Sequence, residues 1–208
     1  MTKIKLCGLT RPQDMDVANE LHPDYIGFVF AQKSRRYVPP AVAAELRARL
    51  DPGIRVVGVF VREAPQTIAG LLRNGVIDIA QLHGGEGEAY IHTLRTLTDW
   101  PLIQAFRMDS PADGIAAEHS PADFVLLDSG QGGTGTVFDW TLLQKVRRPY
   151  FLAGGLNPGN AARAVRCLHP YAVDVSSGIE TGGEKDPEKM RSFVHAVRSV
   201  TETGKEEE

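Results

Sequence analysis

The 208-residue sequence has only two cysteines, no excess of positive charge and no long apolar run. Two cysteines make no disulfide framework and indicate a reducing compartment. A net charge of −3 and a pI of about 6.1 give no basic surface of the kind that binds nucleic acid. No apolar stretch approaches a membrane span of about 20 residues, and a strand starts at Lys3, which leaves no room for a signal peptide. These absences predict a cytoplasmic protein that binds neither nucleic acid nor membrane.

Length and composition are those of an ordinary globular domain, with 42% hydrophobic and 24% charged residues. The chain is long enough for one domain with a sizeable core. We expect residues 1–200 to form that single domain. Residues 201–208 are polar, end in three glutamates, and are predicted to be a solvated acidic tail.

Short apolar runs alternate with helical patterns along the whole chain. The predicted strands are Lys3–Cys7, Tyr25–Phe30, Arg55–Val61, Asp78–Leu82, Leu102–Arg107, Phe124–Asp128, Tyr150–Ala153 and Ala172–Val175. The predicted helices start near Arg11, Pro40, Ala64, Glu86, Ala112, Trp140 and Asn160, and a last one spans Asp186–Ser199. Such alternation implies parallel strands with right-handed crossovers.

Eight strand–helix units favour an α/β fold closed into a single (β/α)8 barrel, the TIM barrel. At 208 residues the chain is short for this fold, so its loops must be short. An open doubly wound sheet is the alternative, which spacing alone does not exclude. No Gly-x-Gly-x-x-Gly follows the first strand, which argues against a dinucleotide-binding fold.

Two loops near the end of the chain predict a phosphate site. Gly154 and Gly155 follow the seventh strand, and Ser177 and Gly178 follow the eighth. Small residues let backbone N–H groups approach a ligand, and many (β/α)8 barrels bind phosphate after strands 7 and 8. Asn157 and Pro158 suit the opening of a helix, whose N-terminus attracts anions. Either loop alone would also be an ordinary turn.

Cys7 ends the first strand, at the face of a barrel where catalysis takes place. Alternation places Lys5 and Cys7 on the inward side, and a nearby ammonium would favour the thiolate. A small buried hydrophobe is the other interpretation of Cys7. Thr10 and Gln13 have the spacing of a capping box for the first helix. Cys167 ends a helix at the opposite face, and we expect it in the core.

Three further side chains are predicted at the same mouth. Asp128 ends an apolar strand that would raise its pKa, and it opens a Gly-rich loop with glycines at 130, 132, 133 and 135. It is either catalytic or a loop-capping carboxylate, and Asp174 is a candidate for a supporting role. His83 is an acid, a base or, more commonly, a polar lining residue. Arg36 lies in a basic loop with Lys33 and Arg35, and arginine binds carboxylates bidentately.

In a closed barrel, strands 7 and 8 lie between strands 6 and 1. A phosphate at their loops would be flanked by Asp128 and Cys7. A sugar phosphate across the mouth would then meet an acid and a base, as aldose–ketose isomerisation requires. No spacing of His, Cys, Asp or Glu suggests a metal site.

At this point the sequence resembles the phosphoribosylanthranilate isomerase family of tryptophan biosynthesis, from Lys5 to about Phe193. The segments that carry the resemblance are Lys5–Thr10, Gly27–Phe30, Ser34–Tyr37, Gln81–Gly84, Leu126–Ser129, Gly132–Gly135, Phe138–Trp140, Leu152–Pro158, Val173–Glu180 and Lys185–Asp186. Each is weak alone, and the set in this order is highly specific. Thr136 departs from the family pattern, since some members have lysine there.

The resemblance implies a (β/α)8 barrel without a metal or organic cofactor. It implies an Amadori rearrangement, in which N-(5-phosphoribosyl)anthranilate becomes 1-(2-carboxyphenylamino)-1-deoxyribulose 5-phosphate. Cys7 matches the general base that takes the proton from sugar C2, and Asp128 matches the acid that protonates the ring oxygen. Arg36 matches the residue that receives the anthranilate carboxylate, and loops 7 and 8 match the phosphate site. The partner expected is a small phosphosugar, and the chain is expected to be a monomer or a homodimer.

Two other functions compete with this one. The first is another phosphosugar barrel, such as the histidine-pathway isomerase. That family resembles a two-fold repeat with a phosphate loop in each half, whereas Ala-Gly-Gly-Leu-Asn occurs here once. The second is a barrel that binds a phospho-ligand without chemistry, which would need neither Cys7 nor Asp128.

Overall fold

The computed structural model describes residues 1–128, 142, 143 and 146–203, with side chains up to residue 200. The Gly-rich loop after Asp128, Thr136 and the helix expected near Trp140 lie outside the described residues, as does the end of the predicted tail from residue 204. The last helix continues to Thr203, so the first residues of that predicted tail are helical.

Eight parallel strands close into a barrel in the order β1 to β8, with β8 paired to β1. They are Lys3–Cys7 (β1), Tyr25–Val29 (β2), Arg55–Phe60 (β3), Ile79–Leu82 (β4), Leu102–Arg107 (β5), Phe124–Asp128 (β6), Tyr150–Ala153 (β7) and Ala172–Val175 (β8). The predicted (β/α)8 barrel is confirmed, with every strand within one residue of its expected bounds. The open sheet is excluded by the pairing of β1 with β8.

Helices follow the strands on the outside of the barrel. They are Pro12–Leu21 (α1), Pro40–Arg47 (α2), Pro65–Arg73 (α3), Glu88–Arg95 (α4), Pro111–Glu118 (α5), Ala161–Leu168 (α6) and Pro187–Thr203 (α7). Five of the seven begin with proline, whose fixed φ and missing N–H suit the first helical position. A hairpin of two short strands, Glu180–Thr181 (β9) and Glu184–Lys185 (β10), lies between β8 and α7.

Two helices start where they were expected, near Arg11 and Asn160, but their predicted caps differ from the structure. The capping box expected of Thr10 and Gln13 is wrong, because Arg11 is the N-cap and Asp14 is its partner. The Asp14 carboxylate accepts hydrogen bonds from the backbone N–H of Thr10 and Arg11. Asn157 and Pro158, which suited a helix opening, lie instead in a turn closed onto the Asn157 carbonyl, and α6 begins at Ala161, directly after its N-cap Asn160.

The core has two layers, one between strands and helices and one inside the barrel. Ile4 and Leu6 of β1 point outward into the larger layer, as their alternation predicts. The barrel interior is filled by Tyr25, Val57, Ile79, Ile103, Leu126, Phe151, Ala153 and Ala172. Apart from Ala153, which ends β7 and lines the mouth, these side chains come from the beginning or middle of their strands, so the polar inward side chains collect at the carboxyl ends. None of the helices that the structure describes is long and apolar enough to cross a membrane.

Candidate active site

A cavity of about 350 Å³ opens at the carboxyl ends of the strands. It brings together residues that lie up to 170 positions apart in sequence. Its lining includes Cys7, Arg36, Gln81, His83, Asp128, Gly154, Gly155, Asp174, Ser176 and Ser177. Seven of the eight predicted site residues are in this set, and only Gly178 is not. These residues therefore lie together at one mouth, as expected of side chains at the carboxyl ends of the strands.

Lys5 lies at the floor of this cavity and is fully buried. Its ammonium donates to Asp174 Oδ2 at 2.9 Å and to Gln81 Oε1 at 2.8 Å. A buried lysine needs such partners, because an unpaired charge out of water is very costly. Burial alone would lower the pKa of Lys5, but the nearby Asp174 and Cys7 raise it above its ordinary value. Lys5 is therefore a fixed positive charge beside the thiol.

The Cys7 side chain is 8% exposed and ends β1 beside Lys5. A Cβ atom on Gly27 of the neighbouring strand would lie 2.7 Å from the Cys7 sulfur, so glycine at position 27 makes room for the thiol. Burial raises the pKa of Cys7 above its ordinary value, and the charges of Lys5 and Lys185 lower it only in part. Lys5 does favour the thiolate, as expected, but desolvation outweighs the ammonium, so the expectation of a thiol pKa below its ordinary value is wrong.

His83 and Asp128 face each other on the other side of the mouth. His83 Nε2 lies 3.6 Å from Asp128 Oδ2, and the two side chains are 36% and 30% exposed. Gln81, two residues before His83 on β4, contacts His83 Nδ1 through its amide nitrogen at 2.9 Å. His83 was predicted to be an acid, a base or, more commonly, a polar lining residue, and the fold places a carboxylate from β6 beside it. That contact depends on the order of the strands in the barrel, and the spacing of residues along the chain does not predict it.

Arg36 lies at the rim in a cluster around the buried carboxylate of Glu180. Arg36 donates to it twice, from Nε at 2.6 Å and from Nη2 at 3.0 Å. Lys185 donates to the same carboxylate at 2.7 Å, and Arg35 at 2.7 Å. Burial opposes the charge on Glu180, but Arg36 and Lys185 lower its pKa below its ordinary value. The carboxylate thus fixes the arginine in place, with Nη1 not engaged by Glu180.

The loops after β7 and β8 meet at one edge of the cavity. Gly154 and Gly155 line it with φ angles of 89° and 63°, and Ser177 lines it from a 3₁₀ turn over Ser177–Ile179. Gly178 lies behind them: a Cβ there would stand 1.9 Å from the Leu156 carbonyl oxygen. Gly178 is needed for the close approach of the two loops.

A larger cavity of about 550 Å³ lies at the opposite end of the barrel, where the strands begin. Cys167 lines it, so its predicted end of the barrel is right. Its predicted burial is wrong, because Cys167 is exposed. The buried face of α6 comprises Ala161, Ala164 and Val165, and position 167 lies off that face. Among its described lining residues, Cys167 supplies a thiol but none supplies a carboxylate. Among the residues described, no cluster of three or more His, Cys, Asp or Glu side chains is placed to hold a metal ion.

Comparisons with known proteins agree with this geometry. A family model described as N-(5′-phosphoribosyl)anthranilate (PRA) isomerase matches residues 4–196. The N-(5′-phosphoribosyl)anthranilate isomerase of Endomicrobium trichonymphae is 45% identical over 96% of this chain and 100% of its own. That of Caldanaerobacter subterraneus is 43% identical over the same shares.

Solved structures show the same architecture. The phosphoribosylanthranilate isomerase of Thermotoga maritima superposes with a TM-score of 0.85 at 33% identity, over 96% of this chain and all of that one. A further phosphoribosylanthranilate isomerase structure, solved with reduced 1-(o-carboxyphenylamino)-1-deoxyribulose 5-phosphate, has a TM-score of 0.83 at 32% identity over the same shares.

This chain belongs to the N-(5′-phosphoribosyl)anthranilate isomerase family. It is an aldose–ketose isomerase of tryptophan biosynthesis, as the resemblance of its motifs implied.

For an isomerase of this family, sequence reasoning missed three side chains of the site. Gln81 was noted only as the first residue of a segment that resembles the family, and Glu180 and Lys185 were given no role. All three are buried and polar, at 1%, 8% and 5% exposure. A signal for Glu180 and Lys185 was available: opposite charges five residues apart flank Gly182 and Gly183, as in a tight hairpin.

Proposed function

We propose that Cys7 is the general base and Asp128 the general acid of the Amadori rearrangement of N-(5-phosphoribosyl)anthranilate. The observation that carries this assignment is that one cavity holds both side chains together with the Gly154–Gly155 loop. The thiol and the carboxyl lie on either side of that loop in the strand order β6, β7, β8, β1. A sugar whose phosphate is bound at β7 and β8 therefore has one group on each flank.

The first step opens the furanose ring. The protonated Asp128 carboxyl gives its proton to the ring oxygen as the bond between that oxygen and C1 breaks. The anthranilate nitrogen supplies the electron pair that forms the C1=N bond. Asp128 is then a carboxylate, and the substrate carries a positive iminium nitrogen.

The second step removes the proton from C2. The Cys7 thiolate takes it, the electron pair forms a C1=C2 bond, and the iminium electrons return to nitrogen. The resulting enolamine becomes the ketone when C1 gains a proton and the C2 hydroxyl loses one. No atoms are gained or lost overall. The enzyme returns to its starting state when the proton on the thiol reaches the Asp128 carboxylate, directly or through solvent.

We propose that Arg36 receives the anthranilate carboxylate and that the loops after β7 and β8 hold the phosphate. Glu180 takes the Nε and Nη2 donors of Arg36, so the substrate carboxylate is expected at the Nη1 end. Gly154, Gly155 and Ser177 would bind the phosphate, and Gly178 would hold their loops together. His83 would line the site next to the acid. The proposed partner is thus a small phosphosugar.

Replacement of the acid and the base tests this function. Cys7→Ala and Asp128→Asn should each lower kcat by about 10²- to 10⁴-fold, the usual contribution of a general acid or base. Cys7→Ser should fail too, because an alkoxide is far harder to form than a thiolate. Steady-state kinetics with the anthranilate substrate measures the loss, and melting temperatures near wild type would show that folding is intact.

Cys167→Ala is the matched control, and because Cys167 is exposed it should change neither activity nor stability. A Cys7→Ala enzyme that retains more than about a tenth of wild-type kcat would remove Cys7 as the base. Turnover of the histidine-pathway substrate alone would favour the competing isomerase.

A further inference from the structure

A row of polar side chains crosses the floor of the mouth from the base to the acid. Lys5 Nζ lies 2.8 Å from Gln81 Oε1, and Gln81 Nε2 lies 2.9 Å from His83 Nδ1. His83 Nε2 in turn faces Asp128 Oδ2 at 3.6 Å. Lys5 and Gln81 are almost completely buried, at 0% and 1% exposure, so neither can turn outward to find other partners. The direction of each proton along the row follows from the chemistry of its members.

Lys5 determines which way the Gln81 amide faces. A lysine ammonium has three donors and no acceptor. The amide atom 2.8 Å from it must therefore be the carbonyl oxygen, since an NH₂ group there would place donor against donor. With the oxygen committed to Lys5, the NH₂ group of Gln81 is directed toward His83.

Gln81 then determines where His83 carries its proton. An amide NH₂ only donates, so His83 Nδ1, 2.9 Å away, must accept and carry no proton. The neutral imidazole is therefore protonated at Nε2, the nitrogen that faces Asp128. We propose that Lys5 and Gln81 are positioning residues that hold His83 in the Nε2–H tautomer, and thereby aim an N–H donor at Asp128.

The consequence rests on the proposed role of Asp128 as the general acid. When Asp128 gives its proton to the ring oxygen it becomes a carboxylate, and the Nε2–H of His83 stabilises that charge. The opposite tautomer would place a nitrogen lone pair against the carboxylate and oppose proton transfer. The distance of 3.6 Å is longer than a hydrogen bond, and such contacts often tighten only with substrate bound.

Nitrogen-15 NMR of protein labelled at the histidine ring nitrogens measures the tautomer directly. The chain has six histidines, and the loss of one pair of signals in His83→Asn assigns His83. At pH 8 we expect the proton of His83 on Nε2. His119 is an internal reference for the other tautomer, because its Nδ1 lies 2.8 Å from the Ile115 carbonyl and must donate to it.

Two variants of Gln81 distinguish a role in setting the His83 tautomer from a role in supporting the fold alone. In Gln81→Glu the new carboxylate only accepts, so Nδ1 of His83 should gain a proton while His119 stays unchanged. Groups that fix a histidine tautomer contribute about 10- to 100-fold in metal sites. We expect a loss of kcat of at least about tenfold on that scale, with little change in KM or melting temperature. Gln81→Met, which neither donates nor accepts there, should leave a mixture of tautomers and serves if the glutamate variant does not fold.

The outcomes distinguish this proposal from the proposed function. A proton on Nδ1 in the wild type, or a tautomer that is unchanged in both Gln81 variants, would overturn it. So would a tautomer that changes while kcat stays at the wild-type value. An Asp128→Asn enzyme of full activity would instead refute the acid assignment, and the NMR result would still test the hydrogen-bond row.

Discussion

At the scale of single residues, Cys7 shows how burial and charge compete. Its sequence neighbour Lys5 and the distant Lys185 both favour the thiolate, yet burial raises the thiol pKa above 9.0. A group whose pKa is raised by folding stabilises the fold fully below its unfolded pKa, and that contribution is lost as the pH rises through the folded pKa. The pH range over which Cys7 affects the free energy of unfolding therefore starts near pH 9.

We accordingly predict that the free energy of unfolding of the wild type falls with pH above about 9, and that Cys7→Ala weakens this dependence. Urea unfolding at a series of pH values measures it, and the slope rather than the absolute value is compared, because alanine also changes packing. Lys5 does not contribute to this fall near pH 9, because its pKa is raised above 10.5 and it stays protonated there. Equal slopes in both proteins would show that folding does not perturb the thiol.

The same raised pKa shapes the activity. Catalysis needs the thiolate together with the protonated carboxyl, and the ordinary pKa of a thiol, about 8.5, is well above that of an aspartic acid, about 3.9. Between the two pKa values the active fraction is constant, because thiolate is gained as fast as protonated acid is lost. Above the thiol pKa the thiolate no longer increases, while the protonated carboxyl continues to be lost. We therefore predict a bell-shaped profile of kcat/KM whose alkaline limb lies above pH 9.0. An alkaline limb near pH 7 would mean that substrate-free Cys7 is not perturbed in this direction.

Arg36 and Glu180 give a third prediction at this scale. Arg36→Ala should raise KM for the anthranilate substrate, and lysine should restore binding only in part because it has no planar fork. Glu180→Gln keeps the shape but removes the charge that holds Arg36, so it should raise KM by a smaller factor. Arg35 is the control, since its side chain is 60% exposed and also contacts Glu180. Unchanged kcat/KM in Arg36→Ala would remove it from the site.

At the scale of elements, the loops after β7 and β8 act as one unit because Gly178 lets them touch. Inorganic phosphate should bind there and stabilise the fold, by about 2.7 kcal/mol at 100 times its dissociation constant. Ser177→Asp should abolish this gain by placing a like charge in the loop pair. Thermal melting with and without phosphate measures it, and Thr96→Asp controls for the added charge at the opposite end of the barrel. An equal gain in wild type and Ser177→Asp would place the phosphate elsewhere.

Elements were also the scale at which sequence reasoning worked best. The strands were found because each is a short apolar run that ends in small or polar residues. The errors arose where a side chain from another element decided the outcome. Asp14, not Gln13, caps α1 because the first turn begins one residue later than the pattern suggested. Cys167 was misplaced although the spacing of Ala161, Ala164 and Val165 already indicated the buried face.

At the scale of the whole molecule, the site includes long-range contacts that the spacing of residues along the chain does not predict. Cys7 and Asp128 were predicted because both end strands, a local property. The Glu180 cluster needs the β9–β10 hairpin to meet the loop after β2, which carries Arg35 and Arg36, and the His83–Asp128 contact needs the ends of β4 and β6 to be brought together. The direction of the Cys7 pKa depends on how much water the closed barrel excludes, which no neighbour in sequence reveals.

Closure of the barrel gives the prediction at this scale. Lys5 of β1 and Asp174 of β8 form a buried ion pair across the closing seam. Asp174→Ala leaves the ammonium without its carboxylate and should destabilise the fold by about 3–5 kcal/mol. The exposed pair of Arg191 with Glu20 joins α7 to α1, and Arg191→Ala should cost little, because water screens it. Denaturant unfolding compares the two, and similar small losses would show that the seam does not depend on the buried pair.

The seam also has a consequence for synthesis on the ribosome. Lys5 emerges early, but its partner Asp174 is 169 residues further along the chain. At typical elongation rates of 5–20 residues per second, the first strand waits roughly 10–30 s for the last one. During that interval β1 has an unpaired edge and a lysine without its carboxylate. The residue that we assign as the base is thus among the first to be made, while its surroundings are completed last. A nascent chain stalled before β8 would therefore carry Cys7 and Asp128 but no active site.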